Sequence, residues 1–236
     1  MKSNVINPLQ RSKYFMLTIA LTLTPVLSPA QSNAQQLRQG IGVQLASTKN
    51  AASMPDADNQ DAWIVTVTAD GSLYFGIDPV TPASLADEMK RLPRNREQKL
   101  YIKADARAPF ADVERALSAG HEVWFESAVF LTSQPESPAP GTMVPPKGLE
   151  VLLGPLSNSI VVQISSGGRE GPTLKINNQQ IPAATLQTTL TQLLQNRTEK
   201  VVAVNADGQL PFADVIHLID SCRSAGANIA LAAPSI

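Results

Sequence analysis

The sequence predicts an α+β fold: two tandem small two-layer domains, each ββαβαβ with two helices packed on one face of a mixed sheet. Three observations lead there. They are an internal duplication, alternating period-2 and period-3.6 apolar segments within each copy, and turn and cap residues where the segments join. The duplication is direct: "KADARAPFADV" runs from Lys103 to Val113 and "NADGQLPFADV" from Asn205 to Val215. Both hold Ala-Asp and then Pro-Phe-Ala-Asp-Val at the same interval.

In the first copy, "WIVTVTADGSLYF" from Trp63 reads as two alternating strands around a tight turn, with Asp70 and Gly71 suited to the positive φ of a hairpin. Thr81 caps the following helix, Pro82 suits its first position, and Leu85, Met89 and Leu92 share one face. "KLYIKA" is the third strand. Pro109 then opens a second helix with Asp112 in its first turn, Val113, Ala116 and Leu117 as its buried stripe, and Gly120 as its left-handed stop. "EVWFE" is the fourth strand.

The second copy repeats this order through "SIVVQI", the longer turn "SSGGREGP" and "TLKI". A helix follows Pro182 with Leu186, Leu190, Leu193 and Leu194, then the strand in "NRTEKVVAVNAD", then a helix opened by Pro211 with Asp214 in its first turn. "SAG" recurs at Ser118 to Gly120 and at Ser224 to Gly226, so the last helix of the first copy is expected to be about one turn, roughly 6 Å, shorter than its counterpart. "GGREG" at 167–171 joins two strands and lacks the Lys-Ser/Thr of a phosphate loop, which makes it a hairpin loop.

A chain that is 43% hydrophobic and 17% charged falls with soluble globular proteins, and a net charge of −1 predicts no phosphate-binding surface of the kind nucleic-acid binders show. The single cysteine, Cys222, excludes an intrachain disulfide and a cysteine-cluster metal site. Residues 1–34 read as a signal peptide: Lys2, Arg11 and Lys13 give a positive head, "YFMLTIALTLTPVL" a short apolar run, and "SPAQSNAQQ" small residues for processing. An uncleaved N-terminal anchor is the alternative, which would leave the protein attached to the inner membrane with its domains in the periplasm. Residues 35–61 read as a flexible segment with one short strand at "GVQL". The first domain is 62–131, a Pro-rich linker spans 132–157, and the second domain is 158–234. A lone core is marginal at this domain size, so the copies are expected to pair as an intramolecular pseudo-dimer, aided by the tether's mM-scale effective concentration.

The order strand, Asp-Gly turn, strand, helix, strand ending in Ala-Asp, then Pro-Phe opening a helix that ends in Ala-Gly resembles the periplasmic domain of the ExbD/TolR family of biopolymer-transport proteins. "TADGSLYF", "KADARAPFADV" and "SAG" carry the resemblance in the first copy, and "TLKINNQQIP", "NADGQLPFADV" and "SAG" in the second. The resemblance implies periplasmic domains that pair as dimers and contact ExbB/TolQ-like or TonB/TolA-like envelope proteins, or peptidoglycan. It also implies a proton-carrying Asp in a transmembrane helix. Here "NVINPLQRSKYFMLTIALTLTPVL" has no carboxylate, and Arg11 occupies the fitting position, which argues against a motor role.

Candidate partner-binding residues are Phe110, Phe212, Asp105 and Asp207; Pro109, Asp112, Pro211 and Asp214 are structural helix-start residues. Each Asp also has a plain structural role, taking up loose backbone donors at a turn or offsetting a helix dipole, and each Phe could lodge under the sheet. His121 and His217 lack ligand spacing, His217 is expected on a solvent-facing helix surface, and Cys222 is expected to be a buried apolar residue. Trp63, Trp124 and Phe125 are read as core residues on strands. No catalytic residue, metal or cofactor is indicated. The function expected is a non-enzymatic, partner-binding or accessory component of a TonB/Tol-type system; the alternative is a periplasmic module binding peptidoglycan or a small ligand in a cleft between the copies.

Overall fold

Both copies fold with the same succession of elements. The computed structural model describes residues 40–93, 97–134, 144–154, 159–167 and 171–231. In the first copy these are β2 (Trp63–Val67), β3 (Leu73–Phe75), β4 (Asp78–Val80), α1 (Pro82–Arg91), β5 (Leu100–Ala104), α2 (Phe110–Glu122) and β6 (Ser127–Thr132). In the second they are β8 (Ile160–Ser165), β9 (Thr173–Ile176), β10 (Gln179–Ile181), α3 (Leu186–Leu194), β11 (Val201–Ala206), α4 (Phe212–Ser224) and β12 (Asn228–Leu231). β1 (Ala52–Ser53) precedes the first copy and β7 (Lys147–Leu153) lies between the two. The fold is α+β as predicted, with one addition. A tight turn after β3, and another after β9, adds a short antiparallel edge strand to each copy.

Local chemistry explains most of these boundaries. Thr81 caps α1 by accepting from the Ser84 N–H (3.2 Å), while the Ser84 hydroxyl accepts from the Thr81 N–H (3.1 Å). Leu85 and Met89 bury their side chains, but Leu92 falls at the C-cap and is exposed. On α3, Leu186, Leu190 and Leu194 are buried and Leu193 looks outward. Gly71, at φ +82°, makes the predicted hairpin turn, and its missing side chain leaves room for the Asp112 carboxylate.

The end of α2 corrects the sequence reading. Gly120 does not stop the helix; it lies within it, where a Cβ would come 2.3 Å from Leu100 Cδ2. The stop is Trp124, at φ +68°. Its N–H donates to the His121 carbonyl (3.0 Å) and the Phe125 N–H to the Gly120 carbonyl (3.1 Å). In α4 the same closure uses Gly226, at φ +82°, with Gly226 donating to Arg223 (2.9 Å) and Ala227 to Cys222 (3.3 Å). Both helices therefore have 13 residues. The two "SAG" segments are not equivalent, no turn is missing, and "EVWFE" is the helix end rather than a strand.

All named strands among the described residues join one sheet, in the order β10-β9-β8-β11-β12-β7-β6-β5-β2-β3-β4, with β1 pairing β7. In each copy three strands run parallel, β2-β5-β6 and β8-β11-β12, and the remaining two are antiparallel. β7 corrects the linker reading of 132–157. It pairs antiparallel with β6 and parallel with β12. That asymmetry is forced: copies related by a two-fold rotation point β6 and β12 in opposite directions, so a strand between them matches only one. Leu149 and Val151 are buried, and Gly148 comes so close to β6 that a Cβ would meet Val129 Cγ1 at 2.4 Å.

The four helices cover one face over a single apolar cluster that runs through both copies. The other face differs between them. Residues 40–61, read as flexible, cross the back of the first copy, where Met54 and Ala57 pack on Ile64, Tyr101, Val129 and Leu131. The expected strand at "GVQL" is replaced by an isolated bridge, Ser47 to Ser133, and by a 3-10 turn at Pro55–Asp58. β2 and β5 are consequently buried along their whole length, whereas β8 and β11 alternate. Under this cover, burial lowers the pKa of Lys103 against the pull of Asp58, and pushes Tyr101 up to about 12 with help from Asp56 and Glu150. Cys222 is fully buried on α4, its thiol pushed up to about 12 by that burial, and His217 is exposed, both as expected.

Candidate functional site

The duplicated motif lies where the two copies meet. Each Pro-Phe pair ends an extended turn, and the two turns run antiparallel, bridging Pro109 to Pro211. Four backbone hydrogen bonds cross in reciprocal pairs. The Phe110 N–H donates to the Leu210 carbonyl (2.9 Å) and the Phe212 N–H to the Ala108 carbonyl (2.8 Å). The Ala111 N–H donates to Gly208 (2.9 Å) and the Ala213 N–H to Ala106 (2.9 Å). These amides belong to the first turns of α2 and α4, which have no partner inside their own helices. Each copy thus supplies the acceptors that the other's helix start lacks.

Proline suits this position because it presets the backbone and needs no donor of its own. Gly208 is the residue that sets the spacing: a Cβ there would stand 2.9 Å from Ala111 Cβ. Its sequence signal was one of the four differences between the motifs, Gly208 against Ala106. Phe110 and Phe212 are 2% and 0% exposed, so they do not project toward an external partner; the groove they fill is inside the molecule. Phe212 meets Phe130 of β6 edge to face, with centroids 5.2 Å apart. The copies abut through backbone and buried rings here rather than across a cleft.

The four aspartates take the turn and helix-start places predicted for them. Asp105 is 3% exposed and saturates its carboxylate. Oδ1 accepts from the Arg107 N–H (3.0 Å) and Nε (2.8 Å), and Oδ2 from Arg107 Nη2 (3.0 Å) and the Gln44 N–H (3.1 Å). The Arg107 side chain, joined by the two backbone donors and opposed by burial, holds its pKa below the usual carboxylate range. Asp207 repeats the pattern with the Gln209 N–H (3.0 Å) and the Ser166 N–H (3.3 Å), with a glutamine where the first copy has Arg107. Asp112 pairs with Arg115 beside the Gly71 turn, and Asp214 lies partly buried in the first turn of α4.

Three participants were not singled out from the sequence. Gln44 comes from the segment read as flexible, so nothing local marks it. Glu114 on α2 has its pKa raised, first by burial and then by Asp207 of the other copy. Asp220 on α4 accepts from the N–H groups of Lys49 and Asn50 (both 2.9 Å), so residues 44–50 tie the first copy's turn to the second copy's helix.

Loss of the Asp105 carboxylate strands the Gln44 and Arg107 amides, while the ion pair to a largely exposed guanidinium contributes little. Asp105→Ala is therefore expected to cost about 1–3 kcal/mol at pH 7. A depressed carboxylate pKa gives stability that is present above the unfolded value and lost as pH falls through the folded one. Urea melts of both proteins at pH 7 and pH 3 check this: the gap between them narrows in acid, and an undiminished gap would refute the assignment.

Comparison with known families adds the deciding observation: the model described as "Biopolymer transport protein ExbD/TolR" matches residues 14–136 and again residues 131–234. The chain belongs to the ExbD/TolR family. The ExbD/TolR model matches twice, in agreement with two tandem copies. Searches of curated proteins and of solved structures returned no match. Among the described residues of this ExbD/TolR-family chain, no helix is long and apolar enough to cross a membrane, and no group of His, Cys, Asp or Glu could hold a metal ion. Residues 1–34, read as a signal peptide or anchor, lie outside the described residues.

Proposed function

We propose that this chain is a non-enzymatic, partner-binding or accessory component of a TonB/Tol-type transport system in the cell envelope. Residues 62–131 and 158–234 act as two ExbD-like domains carried on one backbone. The observation that supports it is the reciprocal ladder between the two Pro-Phe-Ala-Asp-Val turns. Pairing that the resemblance places between two molecules occurs inside one chain, which keeps the pair at fixed stoichiometry and effectively high concentration.

In this reading the apolar run within residues 14–27, which contains no carboxylate, directs the protein to the periplasm as a signal or holds it at the inner membrane as an anchor. In either state it carries no proton, because proton relay through a low-dielectric path needs an ionisable group there. The role left is to engage the moving or channel-forming components. Affinity purification of the tagged full-length chain from its own envelope checks this: an ExbB/TolQ-like or TonB/TolA-like protein is expected to co-purify, and recovery without either overturns the proposal.

A further inference from the structure

Trp124 is placed at a cost that packing does not repay. It is 85% exposed, and it holds a left-handed φ of +68° at the position where the second copy has Gly226. Bulky side chains rarely adopt that conformation, and glycine adopts it freely. The hydrogen bonds of the two helix ends are the same, so the closure itself does not call for an indole. A strained residue retained in the open is the pattern of a binding residue.

Its surroundings define what would bind. Trp124 lines a cleft of about 520 Å³ with Glu97, Gln98, Lys99, Glu126 and Ser127, at the end of the sheet where β5 and β6 begin. The cleft's one lysine is already paired with Glu150, at 3.4 Å. Glu126 is exposed, as is Glu122 on the last turn of α2, and that helix end carries the negative pole of its dipole. An open aromatic face among carboxylates attracts a cation, and guanidinium or ammonium groups both stack on indole and pair with carboxylates.

We propose that this cleft docks a basic peptide segment, with an arginine or lysine side chain over the Trp124 ring and its charge met by Glu126. The proposal deepens the partner-binding reading and rests on it for the peptide nature of the ligand. Its test uses purified full-length protein and a synthetic peptide, so it can fail while a transport partner still co-purifies, and the reverse.

Fluorescein-labelled tetra-arginine is titrated with the full-length chain and followed by anisotropy, with unlabelled tetra-arginine, tetra-glutamate and chitotetraose as competitors. Saturable binding is expected, weakened at least tenfold by Trp124→Gly and several-fold by Glu126→Gln, and weakened by salt. The thermal midpoint of Trp124→Gly is expected to equal or exceed that of the parent, which separates lost binding from lost folding. Absent binding, equal affinity for parent and Trp124→Gly, or displacement by chitotetraose instead of basic peptide would each overturn it; the last would make the cleft a glycan site.

Discussion

Phe212→Ala is expected to cost about 3–5 kcal/mol, the range for emptying a large aromatic site in a packed core. For a unit of this size that lowers the thermal midpoint by roughly 6–20 °C. The ring is fully buried, contacts Phe130 of the other copy, and sits on the turn whose amides cross to Ala108 and Ala106. Its removal therefore loosens both halves. Trp63, buried in the first copy against Phe75 and Phe125, is a reporter remote in sequence from the substitution. Near-ultraviolet circular dichroism in the tryptophan region should melt together with the far-ultraviolet signal, and at the lowered temperature. A first copy that keeps its parental midpoint would mean the copies fold independently.

The second large effect separates a strand from a linker. Exchanging Lys147–Leu153 for glycine and serine of equal length removes Leu149 and Val151 from the core and unpairs the facing edges of β6 and β12. Large-to-small changes at buried aliphatic positions cost about 2–5 kcal/mol for leucine and somewhat less for valine. Glycines add their own entropic cost across the segment. The sum approaches the whole stability of an ordinary domain, about 5–15 kcal/mol. The exchanged chain is expected to lose cooperative unfolding and to associate through its exposed strand edges, seen as a broadened melt and early elution in size exclusion. A linker would tolerate the exchange with its midpoint unchanged.

The two effects share a geometric origin. A two-fold relation between copies brings their last strands together at the middle of the sheet and their Pro-Phe turns together at the helix starts. β7 fills the first junction and the backbone ladder closes the second. Residues 44–50 then span both, through Asp105 and Asp220.

Sequence alone determined whatever is decided within a few residues. Thr81 and Pro82 start α1, Gly71 turns a hairpin, Pro109 and Pro211 open helices, and Asp105 and Asp207 hold their own turns, because cap and turn energies depend on near neighbours. The repeat, read as matching residues at a fixed interval, carried the α+β class and the family. Tertiary structure alone decided that Gly148 and Val151 lie in a strand, that residues 40–61 form the back cover of one copy only, and that Trp124 rather than Gly120 ends α2. Each of these is settled by a surface distant in sequence. A short apolar segment behind a proline-rich approach becomes a strand when two edges wait for it, and a glycine inside a helix serves the close approach of Leu100 rather than the helix's end.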